Sequence, residues 1–92
     1  MKIEAHFHGI LADWVGTPST GFELPDDATY AYLMKEIYRR YRRNMPDQLW
    51  DLEMNTFHRK VRVFRNGKAM DTTDFQLIEG EALTFFLMMA GG

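Results

Sequence analysis

The chain has 92 residues, of which 46% are hydrophobic and 26% are charged, and its formal net charge at neutral pH is −2. This composition is typical of one small globular domain with a single modest core, and it argues against a disordered chain. No apolar run reaches the roughly 18 residues that would cross a membrane, and the N-terminus lacks the apolar stretch of a signal peptide, so we expect a cytoplasmic protein. The chain has no cysteine, which excludes disulfides and thiol nucleophiles.

The positive charge is unevenly distributed along the chain. Ten of the eleven basic residues lie between positions 35 and 68, together with only four of the thirteen acidic residues. Such a segment is either an electrostatically steered docking surface or an ordinary solvated helix and strand, and the sequence leaves both open. The acidic total argues against a nucleic-acid partner for the arginines at 39–43.

The first 24 residues predict a β-hairpin with a long loop. Ile3, Ala5 and Phe7 alternate with polar residues, which is the period-two pattern of a strand with one buried face. Turn residues at 16–19 follow, and a second strand is predicted at Thr20–Leu24.

A helix is predicted next, with Thr29 as its N-cap. Its apolar residues recur at the spacing of a single helical stripe and are Tyr30, Leu33, Met34, Ile37, Tyr38 and Tyr41. Residues 44–58 allow two interpretations, because Pro46 either starts a short helix or belongs to an ordered loop. In both interpretations Trp50 fills part of the core.

The second half of the chain is predicted to be mainly strand. Residues 61–65 form a clear strand, Asn66-Gly67 is the signature of a type I′ turn, and residues 68–70 return. Residues 82–87 are densely apolar without alternation, which predicts a central strand covered on both faces. The resulting order, β-β-α-β-β-β, predicts an α+β fold with one main helix packed across a mixed sheet.

The end of the chain is its most unusual feature. The last predicted strand runs into Met88, Met89, Ala90, Gly91 and Gly92. As a flexible tail these residues reach at most about 17 Å beyond the sheet, and a glycine backbone fits a channel too narrow for other residues. A terminal carboxylate presented in this way can be activated as an acyl-adenylate and attacked inside a partner's site. The alternative is an inert, frayed terminus.

Several stretches carry a resemblance to a known family. They are Leu11–Gly16, Phe22–Pro25, Ala28-Thr29, Val61–Gly67 and, most specifically, Gly80–Phe86 leading to Ala90-Gly91-Gly92. Together they resemble the MoaD/ThiS family of ubiquitin-like sulfur carriers, which includes the small subunit of molybdopterin synthase. The resemblance implies a β-grasp fold as one domain over residues 1–92. It departs from the family at Leu87-Met88, where a pair of prolines often precedes the tail.

The resemblance also implies a function in which the chain is a protein substrate rather than an enzyme. A ubiquitin-activating-type adenylyltransferase would use ATP to adenylate Gly92, and a persulfide donor would convert the adenylate to a thiocarboxylate. An acceptor enzyme such as a molybdopterin synthase large subunit would receive the sulfur. No bound cofactor is implied. The alternatives are a carrier for cysteine or thiamin synthesis, a ubiquitin-like modifier joined to other proteins through Gly92, and a binding module with an inert tail.

The third predicted strand supplies candidate docking residues for the activating enzyme. If its valines face the helix, the alternate residues of that strand lie on the open face of the sheet, unless residues 44–58 cover them. The candidates are Arg62, Phe64 and Arg65 of this strand, together with Phe86 of the last predicted strand. His6 and His8 share one strand face, but two histidines without a third ligand favour exposure to solvent over a metal site.

Overall fold

The computed structural model of the chain describes residues 1–70 and 74–88. In chain order the elements are β1 (Lys2–Phe7), α1 (Ile10–Val15), β2 (Ser19–Glu23), α2 (Tyr30–Tyr41), a 3₁₀ turn (Asp47–Leu49), β3 (Trp50–Asp51), β4 (Thr56–Phe57), β5 (Val61–Arg65), β6 (Lys68–Met70) and β7 (Ala82–Leu87). Five strands form the main sheet in the order β2-β1-β7-β5-β6, and β3 pairs with β4 in a small separate sheet.

The last strand, β7, lies in the centre of the main sheet, as its apolar composition predicted. It runs parallel to β1 and antiparallel to β5. The prediction that both of its faces are covered is wrong. Leu83 and Phe85 are fully buried, whereas Ala82 and Phe86 on the opposite side are exposed. The sheet therefore has one packed face and one open face, because α2 covers only one side.

The core lies between the packed face of the sheet and α2. The alternation predicted for β1 is present, since Ile3, Ala5 and Phe7 are all buried. Phe85 of the central strand stacks on the ring of Phe7 with a centroid separation of 5.5 Å and lies 5.5 Å from the ring of Phe57. Burying a large apolar side chain such as Phe85 contributes about 1.5–3 kcal/mol to the free energy of unfolding. These ring contacts therefore stabilise the packed face of the sheet.

The main helix begins after Thr29, as predicted, but the Thr29 side chain makes no capping hydrogen bond. Instead, the Ala31 N–H donates to Asp74 Oδ1 at 2.9 Å, and the Tyr30 N–H donates to the carbonyl of Phe75 at 2.8 Å. Two of the free donors at the start of α2 are thus satisfied by a segment more than forty residues away. This cap ties the helix to the connection that leads into β7.

The loop of the first hairpin contains a helix that the sequence did not predict. Gly9 precedes α1 with φ = 60°, and Gly16 ends it with φ = 101° while its N–H donates to the Ala12 carbonyl. Leu11 and Val15, four residues apart, are completely buried. The second strand also starts one residue earlier than predicted, at Ser19 rather than Thr20.

Residues 44–58 contain a short 3₁₀ helix directly after Pro46, but Trp50 lies beyond it in a strand that neither prediction for this segment included. After the 3₁₀ turn, β3 and β4 form a two-stranded hairpin on the helix side of the main sheet. Trp50 fills the core as predicted: it is 7% exposed, stacks on Tyr38 at 4.9 Å and meets the edge of Phe57 at 5.0 Å. Its indole Nε1 is buried and has no hydrogen-bond partner among the residues that the structure describes.

Candidate functional site

The central strand carries the chain to Met88, where the described residues end. Because β7 is hydrogen-bonded to a strand on each side, its direction is fixed. One residue further, the Met88 N–H donates to the Lys60 carbonyl at 2.7 Å. We call this position the tail root. The flexible tail predicted for residues 88–92 starts at this position, and its Met89, Ala90, Gly91 and Gly92, with the predicted active terminus, fall outside the described residues.

Three rings form an aromatic strip on the open face of the sheet. Phe86 meets Phe64 edge to face at 5.3 Å and stacks on His8 at 4.5 Å. The Phe86 side chain is 36% exposed. This arrangement follows from the register, which places Arg62 opposite Phe86. Three of the four predicted docking residues are therefore neighbours on one accessible surface.

The segment 44–58 does not cover the aromatic strip. Its large side chains Trp50 and Phe57 belong to the core on the other side of the sheet, where Phe57 packs against Phe7 and Phe85. Residues 44–58 therefore leave the open face between β1 and β5 accessible, with Phe86 exposed there, which is the arrangement expected of a docking surface.

The fourth predicted docking residue, Arg65, lies elsewhere. Its Nε and Nη2 donate to the two carboxylate oxygens of Glu81 at 2.7 and 2.9 Å, and Nη2 also donates to the Gln76 carbonyl at 2.8 Å. The guanidinium lies over the ring of Phe75, 4.7 Å from its centroid. The Arg65 side chain is only 20% exposed, so its charge holds β5 to the connection before β7 and does not extend the open face.

Arg59 and Lys60 join Arg62 in a cluster of cations at the tail root, and the sequence analysis did not single them out. The three side chains are exposed and, with Met88, line an open basin of about 450 Å³. Their run of charge at positions 59–62 is visible in the sequence. What the sequence does not show is that the chain bends at 58–60 and brings these residues beside the end of β7.

An apolar cavity of about 340 Å³ lies on the other side of the tail root. Its lining includes Trp14, Leu49 and Leu87, with His58 and Lys60 among its polar residues. Trp14 comes from α1, so the unpredicted helix contributes directly to this region. A partner that surrounds the tail meets a charged surface on one side of Met88 and an apolar surface on the other.

His6 of β1 and His8, which directly follows that strand, have separate neighbours among the described residues. His6 Nε2 lies 3.1 Å from Glu4 Oε1, and His8 stacks on Phe86. Within residues 1–70 and 74–88, no three histidine, aspartate or glutamate side chains are grouped to hold a metal ion. No helix in this part of the chain is long and apolar enough to cross a membrane.

Solved structures match this architecture over almost its whole length. SAMP1 from Haloferax volcanii matches with a TM-score of 0.81 and 18% sequence identity, covering 100% of both chains. Urm1 from Trypanosoma brucei matches with a TM-score of 0.76 and 19% identity, covering 99% of this chain and 95% of that one. The chain has the ubiquitin-like β-grasp fold. The fold predicted from the sequence is therefore confirmed.

A third structure connects this β-grasp fold with the family that the sequence resembles. A putative molybdopterin converting factor, subunit 1, from Pyrococcus furiosus matches with a TM-score of 0.72 and 18% identity, covering 97% of this chain and 99% of that one. The predicted resemblance to MoaD-like proteins is confirmed at the level of the fold. Scans against protein-family models and curated proteins gave no match.

Proposed function

We propose that this β-grasp protein is a sulfur carrier that acts through the carboxylate of Gly92. The observation that carries the proposal is the tail root: the central strand, hydrogen-bonded on both sides, brings the chain to Met88 on the same sheet as an exposed aromatic strip. The Gly91-Gly92 end suits entry into a narrow channel. In this proposal residues 1–92 are one domain, and residues 88–92 are its flexible tail.

The chemistry takes place in the partners, and this chain supplies the reacting group. The Gly92 carboxylate attacks the α-phosphate of ATP in a ubiquitin-activating-type adenylyltransferase, and pyrophosphate leaves. The terminal sulfur of a persulfide donor then displaces AMP, and a second thiol of the donor cleaves the S–S bond to leave a thiocarboxylate. Because the chain has no cysteine, it has no thiol of its own to divert the persulfide sulfur. The chain contributes positioning and requires no catalytic side chain or resident cofactor.

The aromatic strip is the surface on which the activating enzyme docks in this proposal. Exposed aromatic rings with a neighbouring arginine are typical of the residues that carry most of the binding energy in protein interfaces. Phe64, Phe86 and Arg62 meet that description, whereas Arg65 does not because it is paired internally. For the final acceptor we propose the molybdopterin precursor, held by a larger synthase subunit in the cytoplasm. The structural likeness to a putative molybdopterin converting factor subunit supports this choice.

A ubiquitin-like modifier joined to lysines through Gly92 is the second candidate. The Haloferax volcanii protein that matches this chain is a small archaeal modifier protein, and its fold covers the whole of this chain. Both candidates begin with the same adenylation, and they differ only in the nucleophile that attacks the adenylate. Attack by a persulfide sulfur leads to the thiocarboxylate of a sulfur carrier, whereas attack by a lysine amine joins the chain to another protein.

Intact mass spectrometry separates these candidates. The chain is incubated with the adenylyltransferase of its own organism, ATP and a persulfide donor, and a chain lacking Gly92 serves as the matched control. We expect the full chain to gain the mass of one oxygen-to-sulfur exchange and the control to remain unchanged, because its carbonyl is about 3.5 Å short of the reacting position. Adducts on lysines of other proteins would identify a modifier. A chain that acquires neither mass change would contradict both candidates.

A further inference from the structure

We propose that Arg59, Lys60 and Arg62 form a basic collar around the tail root that binds acidic side chains at the channel mouth of the activating enzyme. This inference rests on the proposed function, and it names the chemistry of the surface that this partner presents. The collar adjoins the aromatic strip through Arg62, which lies opposite Phe86 in the sheet. It therefore extends the docking surface toward the point where the tail leaves the domain.

Arg59, Lys60 and Arg62 lie together at the tail root without a side-chain partner among the described residues, as do Arg42 and Arg43 elsewhere, whereas Arg39, Arg40 and Arg65 have partners. Arg39 pairs with Glu36 at 2.7 Å, Arg40 donates to Thr20 and lies over the ring of Phe22, and Arg65 pairs with Glu81. In contrast, no residue within 1–70 or 74–88 offers the three collar side chains a hydrogen bond or an ion pair. Grouping exposed like charges without partners disfavours the folded state, so the fold itself gives no reason for this arrangement.

The length of the tail separates the collar from the reacting carbonyl. Four residues separate Met88 from the terminus of Gly92 inclusive, and a fully extended segment of that length spans at most about 14 Å. When the tail is extended into a channel, the collar stays at the mouth while the reacting carbonyl lies far inside. The collar can then strengthen association and orient the tail, but it does not touch the adenylate. Its removal is expected to raise KM and leave kcat unchanged.

The distribution of charge along the chain favours a protein partner over a nucleic acid. Outside residues 35–68 the chain carries nine acidic residues and one basic residue, so a long polyanion would be repelled by most of the molecule. Nucleic-acid binding generally neutralises six or more phosphates with a corresponding number of cations. Three cations around a single point instead match a compact acidic patch on a protein surface.

The test compares two triple variants of equal net charge in steady-state adenylation by the activating enzyme. The collar variant is Arg59→Glu, Lys60→Glu and Arg62→Glu. The control variant is Lys35→Glu, Arg43→Glu and Lys68→Glu, which reverses three exposed cations that do not line the basin at the tail root. We expect the collar variant to raise KM by about 10- to 100-fold at low salt with kcat and the melting temperature unchanged, and the control to change KM less than about threefold. Raising the salt concentration should weaken wild-type binding and leave the collar variant nearly unaffected.

Each outcome supports or overturns the inference. Equal KM values for the two variants would refute the collar while leaving the proposed function intact. A fall in kcat at unchanged KM would also refute it, because the cations would then act in the chemical step. Binding of wild type to a 20-nucleotide single-stranded RNA that the collar variant loses, without any change in KM, would identify a nucleic-acid surface instead. If the wild-type chain is never adenylated, the proposed function fails and the collar fails with it.

Discussion

Replacing Arg65 by Met tests whether this residue serves the fold or the docking surface. The substitution removes two charge-assisted hydrogen bonds to Glu81 and one to the Gln76 carbonyl. It also leaves the Glu81 carboxylate without its cation at a site where the side chain is only 9% exposed. Removing one partner of a fully buried pair costs about 3–5 kcal/mol, and an exposed pair is worth about 0–1 kcal/mol. For this partly buried pair we expect a loss of about 2–3 kcal/mol.

The measurement is a thermal melt of Arg65→Met beside Arg62→Met, which alters the same residue type three positions earlier on the same strand. A domain of this size loses about 4–8 °C of melting temperature per kcal/mol, so Arg65→Met should melt about 8–24 °C earlier than wild type. Arg62→Met should melt within a few degrees of wild type, because its side chain is exposed. Kinetics should show the reverse order, with KM for adenylation raised only in Arg62→Met.

A double variant shows whether Arg65 and Glu81 stabilise the fold as a pair. Glu81 also accepts a hydrogen bond from the Ile78 N–H at 2.7 Å, so Arg65→Met with Glu81→Met loses that bond but no longer buries an unpaired carboxylate. The double variant should be less destabilised than the sum of the two single variants. Additive losses, or a normal melt for Arg65→Met together with a raised KM, would return Arg65 to the docking surface.

Three further changes are expected to separate fold from function. Gly16→Ala should cost about 1–3 kcal/mol in a melt, because φ is +101° and the added Cβ would lie 2.8 Å from Asn44 Nδ2; Gly21→Ala, with open space, is the control. Burial raises the pKa of the Tyr30 phenol, so above about pH 10 the phenol ionises more readily in the unfolded state and the stability of the fold should decrease. Tyr30→Phe should therefore move alkaline unfolding, followed by circular dichroism, to higher pH. Gly91→Ala should melt like wild type but slow single-turnover thiocarboxylate formation, and an early melt with normal transfer would contradict this.

Local signals in the sequence predicted the parts of the fold that depend on neighbouring residues. The turn after β5 is an example: Asn66 and Gly67 both adopt positive φ, 50° and 77°, as a type I′ turn requires. The central position of β7 followed from its apolar composition. Its open second face did not, because Ala82 and Phe86 are apolar in sequence yet lie where no helix covers them. Composition reports what a strand can bury, whereas the position of the single main helix decides what it does bury.

The features that the sequence analysis missed depend on contacts between distant residues or on very short elements. The six residues of α1 span fewer than two turns, so Leu11 and Val15 are its only buried pair and give no recognisable period. The cap that Asp74 provides for α2 joins segments more than forty residues apart. Arg65 carries the same charge as Arg62, and only the register of β5 against β7 shows that one meets Glu81 and the other meets solvent.

The topology explains why the candidate site can lie at the end of the chain without weakening the domain. Strands at the edge of a sheet fray readily, but β7 is hydrogen-bonded on both sides and packs Leu83 and Phe85 into the core. A pull on the tail is therefore resisted by two strand ladders and by the Met88 bond to Lys60. The same central position of β7 places Phe86 on the open face, two residues before the tail root at Met88. Phe86 of the proposed docking surface and the tail root thus lie on the same central strand, so a partner that binds Phe86 would also fix where the tail begins.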